Sequence, residues 1–159
     1  MNLKTRFFKN ADATPVADLV AKTLMTTNIH DYSKEYLQND IDRLNENFFI
    51  QKAQQTHFYV FLNDKTIIGV GAIGPYWDSK TEFSLFNIFV DPDYQGLGVG
   101  RLIIKTLEND AYFKVATRVE IPASITALKF YKKMGYYPKN KQNVPDSEGL
   151  FRLEKYPKS

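Results

Sequence analysis

The sequence has no cysteine. That excludes disulfides, thiol nucleophiles and cysteine-ligated metal sites together. Histidine is scarce: His30 and His57 are too far apart to make a zinc motif by themselves, so no metal is expected. Long apolar runs are also missing. No stretch approaches the roughly 20 apolar residues that cross a bilayer, and Met1-Asn2-Leu3-Lys4-Thr5-Arg6 lacks the apolar run of a signal peptide. The expectation is a soluble, cytoplasmic protein with no membrane partner. A large excess of one charge is absent too, the net charge being +3. Such a balance can help attract a polyanionic cofactor, but it falls short of a nucleic-acid binder. The densest basic group, Lys132, Lys133, Lys139 and Lys141, is interrupted by tyrosines and Gly135 and reads as solvated surface. No repeat, low-complexity segment or Pro/Gly/Ser-rich linker divides the chain.

What is present is ordinary globular composition. The chain has 159 residues, 43% hydrophobic and 25% charged, enough for one domain over residues 1–159 with a proper core. Leu3 to Phe8 reads as a strand. Thr14-Pro15 reads as an N-cap with proline at the first helical position, followed by Val16, Leu19, Val20, Thr23 and Leu24 at helical spacing. Ser33 caps a second helix carrying Tyr36, Leu37, Ile41 and Leu44. The period then changes: His57 to Leu62 and Thr66 to Ile73 read as strands joined by a turn at Asn63-Asp64-Lys65. Glu82 to Val90 is a third, strongly apolar strand ending at Asp91-Pro92-Asp93. A glycine-rich loop, a helix from about Arg101 to Asn109, a strand over Lys114–Ile121, a helix over Ser124–Met134 and a strand over Gly149–Leu153 complete the chain. The fold class is α/β with a mixed sheet.

Two glycine clusters invite a ligand. Gly69-Val70-Gly71-Ala72-Ile73-Gly74 matches a dinucleotide fingerprint letter for letter. Pro75-Tyr76-Trp77-Asp78 follows it, however, where that fingerprint needs a helix N-terminus for the pyrophosphate. It reads as a strand with small residues on a close-packed face, which disfavours a nicotinamide enzyme. The second cluster, Gln95-Gly96-Leu97-Gly98-Val99-Gly100-Arg101, sits after a strand and before a helix. There glycines can turn backbone N–H groups toward one anion, and the first helical N–H groups have no internal partners. The Lys-Ser/Thr of a P-loop is missing, so nucleotide hydrolysis is disfavoured.

Gln95-x-x-Gly98-x-Gly100 resembles motif A of the GNAT superfamily of N-acetyltransferases. Ser124 to Tyr136 resembles its motif B, with Ala127, Phe130, Tyr131 and Gly135 matching and Ser124 and Tyr136 standing where asparagine and phenylalanine are usual. The resemblance covers nearly the whole chain. It implies a GNAT-like fold, a central, mostly antiparallel sheet flanked by helices. It also implies acetyl-CoA as cofactor and a primary amine of a small molecule, peptide or protein as acceptor. Gln95, Gly96, Leu97, Gly98, Val99, Gly100 and Arg101 become the pyrophosphate loop, and the strand Asn87 to Val90, with Phe89 and Val90, the pantetheine edge. Ser124, Ala127, Phe130 and Tyr131 complete the cofactor set. Family members often dimerise, so a homodimer is compatible with the resemblance, although no dimerisation motif stands in the sequence.

Amine acetylation needs a neutral amine, a polarised carbonyl and a protonated leaving thiol. A primary amine, with a pKa near ~10.4, must lose a proton first. The amide of Val90 or a close neighbour can polarise the thioester carbonyl. Tyr131 is the candidate general acid by its motif position, while its spacing with Ala127, Phe130 and Met134 also fits a packed core tyrosine. For the base, the resemblance points to Glu82 at the start of the central strand, two or three residues earlier than motif A leads one to expect. Glu120 and a water relay are alternatives. Ser124 can serve as a helix N-cap or touch the cofactor. Tyr32, Tyr36, Phe48, Phe49, Tyr76 and Trp77 fall in segments that would flank an acceptor cleft in such a fold. A non-catalytic acyl-CoA-binding module is the competing reading.

Overall fold

The computed structural model describes residues 1–157. Its contacts gather into two compact units, Met1–Ala72 with Asn87–Ile103 and Ile73–Phe86 with the chain from Ile104 onward.

In the first unit, β1 (Leu3–Phe7) pairs antiparallel with β2 (His57–Asn63), Leu3 opposite Asn63 and Phe7 opposite Tyr59. Helix α1 (Ala13–Thr26) buries Val16, Leu19, Val20, Thr23 and Leu24, the stripe that the sequence predicts. Asp12 rather than Thr14 stands at the N-cap position, and its side chain makes no cap hydrogen bond, since the carboxylate accepts the Lys9 N–H at 2.7 Å and pairs with Arg6. Helix α2 (Lys34–Arg43) starts as expected, with Ser33 Oγ accepting the Tyr36 N–H at 3.1 Å. A further helix, α3 (Glu46–Gln55), was not expected. Asn45 caps it by accepting the Phe48 N–H at 3.0 Å, and Phe49 is fully buried. Phe48, Phe49 and Ile50 are consecutive, so no helical stripe marks the segment in the sequence.

β3 (Thr66–Pro75) and β4 (Glu82–Val90) are long strands. Gly69, Gly71 and Gly74 all lie within β3, as the strand reading of that cluster requires. A Cβ on Gly69 would stand 3.1 Å from Ile103 Cδ1 and 3.3 Å from Val99 Cγ1, so the small residue is what lets its neighbours close. Helix α4 (Val99–Glu108) begins two residues earlier than expected and buries Val99, Ile103, Ile104 and Leu107. Burying each such side chain contributes about 1.5–3 kcal/mol.

In the second unit, the strand expected over Lys114–Ile121 is shorter. Asp110 Oδ1 accepts the Tyr112 N–H at 2.8 Å and starts a short helix, α5 (Ala111–Val115), and β5 occupies only Arg118–Ala123. The helix expected over Ser124–Met134 is a 3-10 turn, Ile125–Ala127, running into α6 (Leu128–Lys133). β6 (Tyr137–Pro138) and β7 (Phe151–Lys155) follow. The sheet order is β1-β2-β3-β4-β5-β7-β6. β5 runs parallel to β4 but antiparallel to β7, and β7 is antiparallel to β6.

Register gives this sheet two unlike faces. Phe83 opposite Val119 and Ile121 opposite Leu153 form an apolar, buried face. Glu82 opposite Arg118, Ser84 opposite Glu120 and Glu120 opposite Glu154 form a polar one. Among the described residues, no helix is long and apolar enough to cross a membrane.

Candidate active site

The glycine loop is built from β4 outward. The Asp91 N–H donates to Ile68 O at 2.8 Å, and the Asp91 carboxylate accepts the Asp93 N–H at 2.9 Å, which starts a 3-10 turn over Pro92–Tyr94. Lys22 of α1 clasps this turn, its Nζ 3.0 Å from Asp91 and 2.8 Å from Asp93. Asn63 donates to the Tyr94 hydroxyl at 3.3 Å, and Gln95 Nε2 reaches Thr27 Oγ1 at 3.4 Å. The turn is thus anchored on three sides before the glycines begin.

Gly96 and Gly98 then adopt φ of +76° and +85°, and a Cβ at either would meet nothing within 4 Å. Their need for glycine is conformational, and the space beside them is open. The Leu102 N–H donates to Gly98 O at 3.0 Å, which makes Gly98 the residue that opens α4. The N–H groups from Gly98 to Arg101 consequently have no partners inside the helix, at the end where its dipole is positive. Gln95, Leu97 and Arg101 are exposed and Val99 is buried, so Val99 anchors the loop while the others face solvent. Open space, free amides and a helix N-terminus together fit a pyrophosphate.

Just upstream, Asn87 departs from strand geometry with φ +53°. Its buried Oδ1 has no hydrogen-bond partner among the described residues. The parallel ladder between β4 and β5 spans only Glu82–Ser84 against Arg118–Glu120. A left-handed residue in mid-strand re-aims the amides that follow it, here Ile88, Phe89 and Val90. Val90 O is also held, accepting from Thr23 Oγ1 at 3.3 Å. Periodicity conceals this kink. The signal that could have found it is an asparagine, the non-glycine residue most tolerant of positive φ, interrupting an apolar run.

In the second unit, Ser124 Oγ accepts the Ala127 N–H at 3.3 Å, so it is an N-cap. Ala127 and Phe130 are half-buried. Tyr131 is buried, with its ring 5.4 Å from that of Phe130. Burial pushes its pKa well above the usual phenol value. Tyr136 shares that direction, through burial and then Glu108, to which its hydroxyl donates at 2.8 Å. Glu82 is engaged rather than free: it accepts from Arg118 Nη1 at 3.0 Å. Arg118 also donates to Glu120 and, at 2.7 Å, to Glu154. Burial alone would lower the Arg118 pKa, but the hydrogen bonds to Glu154 and Glu120 outweigh it and the net shift is upward. Of the expected aromatics, Phe49 is core, Tyr32 and Tyr36 stack at 4.9 Å, and Trp77 is 83% exposed.

The family model of the GNAT acetyltransferase domain matches residues 20–149. An N-acetyltransferase of Porphyra purpurea, ycf52, is 22% identical over 138 residues, covering 84% of this chain and 75% of the relative. YafP, an N-acetyltransferase of Escherichia coli K12, is 23% identical over 143 residues, covering 90% and 87%. The PaiA N-acetyltransferase of Thermoplasma acidophilum, solved with coenzyme A, superposes with a TM-score of 0.83 at 16% identity, covering 98% of this chain and 99% of that one. The fold is therefore that of an acyl-CoA-dependent transferase. The chain belongs to the GNAT family, and its activity is acetyl transfer from acetyl-CoA to an amine nitrogen.

Proposed function

We propose that the chain works as one catalytic domain in the cytoplasm, with the free amides from Gly98 to Arg101 holding the pyrophosphate and Tyr131 acting as general acid. The observation that carries the reading is the pair of left-handed glycines leading into the unpartnered amides of α4. Acetyl-CoA supplies an acetyl thioester, whose carbonyl carbon gains a bond to the acceptor nitrogen as its bond to sulfur breaks. The chain's own groups handle the protons and the charge. Tyr131, a phenol protonated at neutral pH and kept so to higher pH by its burial, gives its proton to the departing sulfur. The Val90 amide, re-aimed by the Asn87 kink, polarises the carbonyl.

The carboxylate assigned to the amine's proton is Glu82, directly or through a water, held in place by Arg118. Phe89, Gln95, Gly96, Leu97, Ser124, Ala127 and Phe130 are assigned contacts along the cofactor. The acceptor is a small-molecule or peptide amine, and a homodimer is the proposed assembly. Calorimetric titration with acetyl-CoA, with NAD as the control ligand, tests the cofactor half. Saturable binding of acetyl-CoA alone is expected, and its absence in a folded protein would remove the glycine loop as the site.

A further inference from the structure

The polar face of the second unit's sheet is built around one carboxylate. Glu120 is 2% exposed. It accepts from Arg118 Nη2, lies 3.0 Å from Lys139 Nζ and stands 3.7 Å from Arg152 Nη1. The three cations are not equivalent. Arg118 is buried and is held by Glu82 and Glu154 as well. Arg152 is held by Asp146 at 2.8 Å, closer than its approach to Glu120. Lys139 has neither support: its contacts are Glu120, the Tyr76 ring 5.4 Å from Nζ, and the Tyr76 hydroxyl, which accepts from Nζ at 3.3 Å.

A buried carboxylate beside an aromatic face, with a phenolic oxygen as second acceptor, is the chemistry that recognises an alkylammonium ion. Lys139 Nζ is such an ion, supplied by the chain itself. Its side chain is 33% exposed, and it begins a run in which residues 140–145 are all exposed. Asn140 and Lys141 both have positive φ, at +53° and +59°. The lysine is therefore carried by strained surface backbone and not packed into the core. When Lys139 withdraws, Glu82, Glu120 and Glu154 face only Arg118 and the more distant Arg152, and the face becomes anionic.

We propose that Glu120 and Tyr76 form an ammonium subsite, filled by Lys139 in the free protein and taken over by an ammonium group of the acceptor. Lys139 then acts as a built-in competitor, and the favoured acceptors are cationic amines rather than neutral or acidic ones. This rests on the reading of the protein as an amine acetyltransferase and adds the charge class of the acceptor.

The test is an NMR titration of the protein with 1,5-diaminopentane, with 1,5-pentanediol as the uncharged control of the same length. Lys139→Met should bind the diamine about tenfold more tightly than the wild type, with shifts centred on Tyr76 and β5, and Glu120→Gln should bind it no better than the diol. Should Glu120→Gln fail to fold, Tyr76→Leu takes its place and is expected to weaken diamine binding several-fold. Equal affinity in Lys139→Met and wild type, or diamine shifts elsewhere on the molecule, overturns the proposal. The titration needs no cofactor, so its failure is distinct from failure of acetyl transfer, which thiol release from acetyl-CoA reads separately.

Discussion

At the scale of single residues, the roles proposed for Tyr131 and Gly98 separate chemistry from binding. Removing the Tyr131 hydroxyl deletes the proposed proton donor from a buried position without emptying the space that its ring fills. Tyr131→Phe should lower kcat by about 10²–10³, within the range of general acid catalysis, and change acetyl-CoA affinity by less than about twofold. Equal turnover in the two proteins would take Tyr131 out of the mechanism. Gly98→Asp has the opposite profile. A side chain at φ +85° is strained, and a carboxylate there opposes the phosphates that the amides are meant to hold. Acetyl-CoA binding should disappear from calorimetry while the circular dichroism spectrum stays native; unchanged affinity in the folded variant would exclude this loop. The motif letters single out both residues as candidates in the sequence. The conformation of Asn87 was not, because a φ angle leaves no period in an amino-acid pattern.

At the scale of elements, the turn that ends α6 meets the Lys155 side chain of β7 at Gly135. It has φ +95°, and a Cβ would lie 3.1 Å from Lys155 Cε and 3.2 Å from Nζ. Lys155 cannot simply swing aside, since its Nζ donates to Glu108 and to Met134 O, both at 2.8 Å. Gly135→Ala should therefore cost about 1–2 kcal/mol of stability, the expense of a left-handed alanine, read from urea unfolding. A midpoint equal to the wild type's would show that Lys155 relaxes freely. The elements best read from sequence were those with one clean period, α1, β3 and β4. Helices α3 and α5 escaped because their caps, Asn45 and Asp110, fix them locally without an apolar stripe. Lys114 and Val115 looked continuous with the strand that begins at Arg118, and only the cap shows that they end a helix.

For the molecule as a whole, the buried phenols set an alkaline limit. Tyr131 and Tyr136 have pKa values raised by folding, whereas in the unfolded chain both ionise near ~10. Below that pH neither contributes a pH dependence. Above it the unfolded state releases protons that the native state keeps, so native stability falls as pH rises. Urea midpoints should be flat with respect to these groups up to about pH 9 and decline beyond ~10. The decline should be shallower in the Tyr131→Phe variant, and an unchanged slope would show that Tyr131 ionises freely when folded. This coupling was invisible in the sequence, which shows ten tyrosines without saying which are enclosed.

The Lys22 clasp adds a matter of charge shielding. An anion-binding loop that follows directly on two aspartates would ordinarily repel its ligand, and Asp91 and Asp93 lie within a few residues of the amides proposed to hold the pyrophosphate. Lys22 comes from a helix about seventy residues away in sequence, and its contacts to both carboxylates cancel part of their field. Lys22→Met should weaken acetyl-CoA binding most at low ionic strength and progressively less as salt screens the two aspartates, the exposed Asp93 above all. A loss independent of salt would mean that Lys22 serves only the shape of the turn. If the loss is salt-dependent, a residue engaged with the loop's own aspartates sets how much salt the enzyme tolerates.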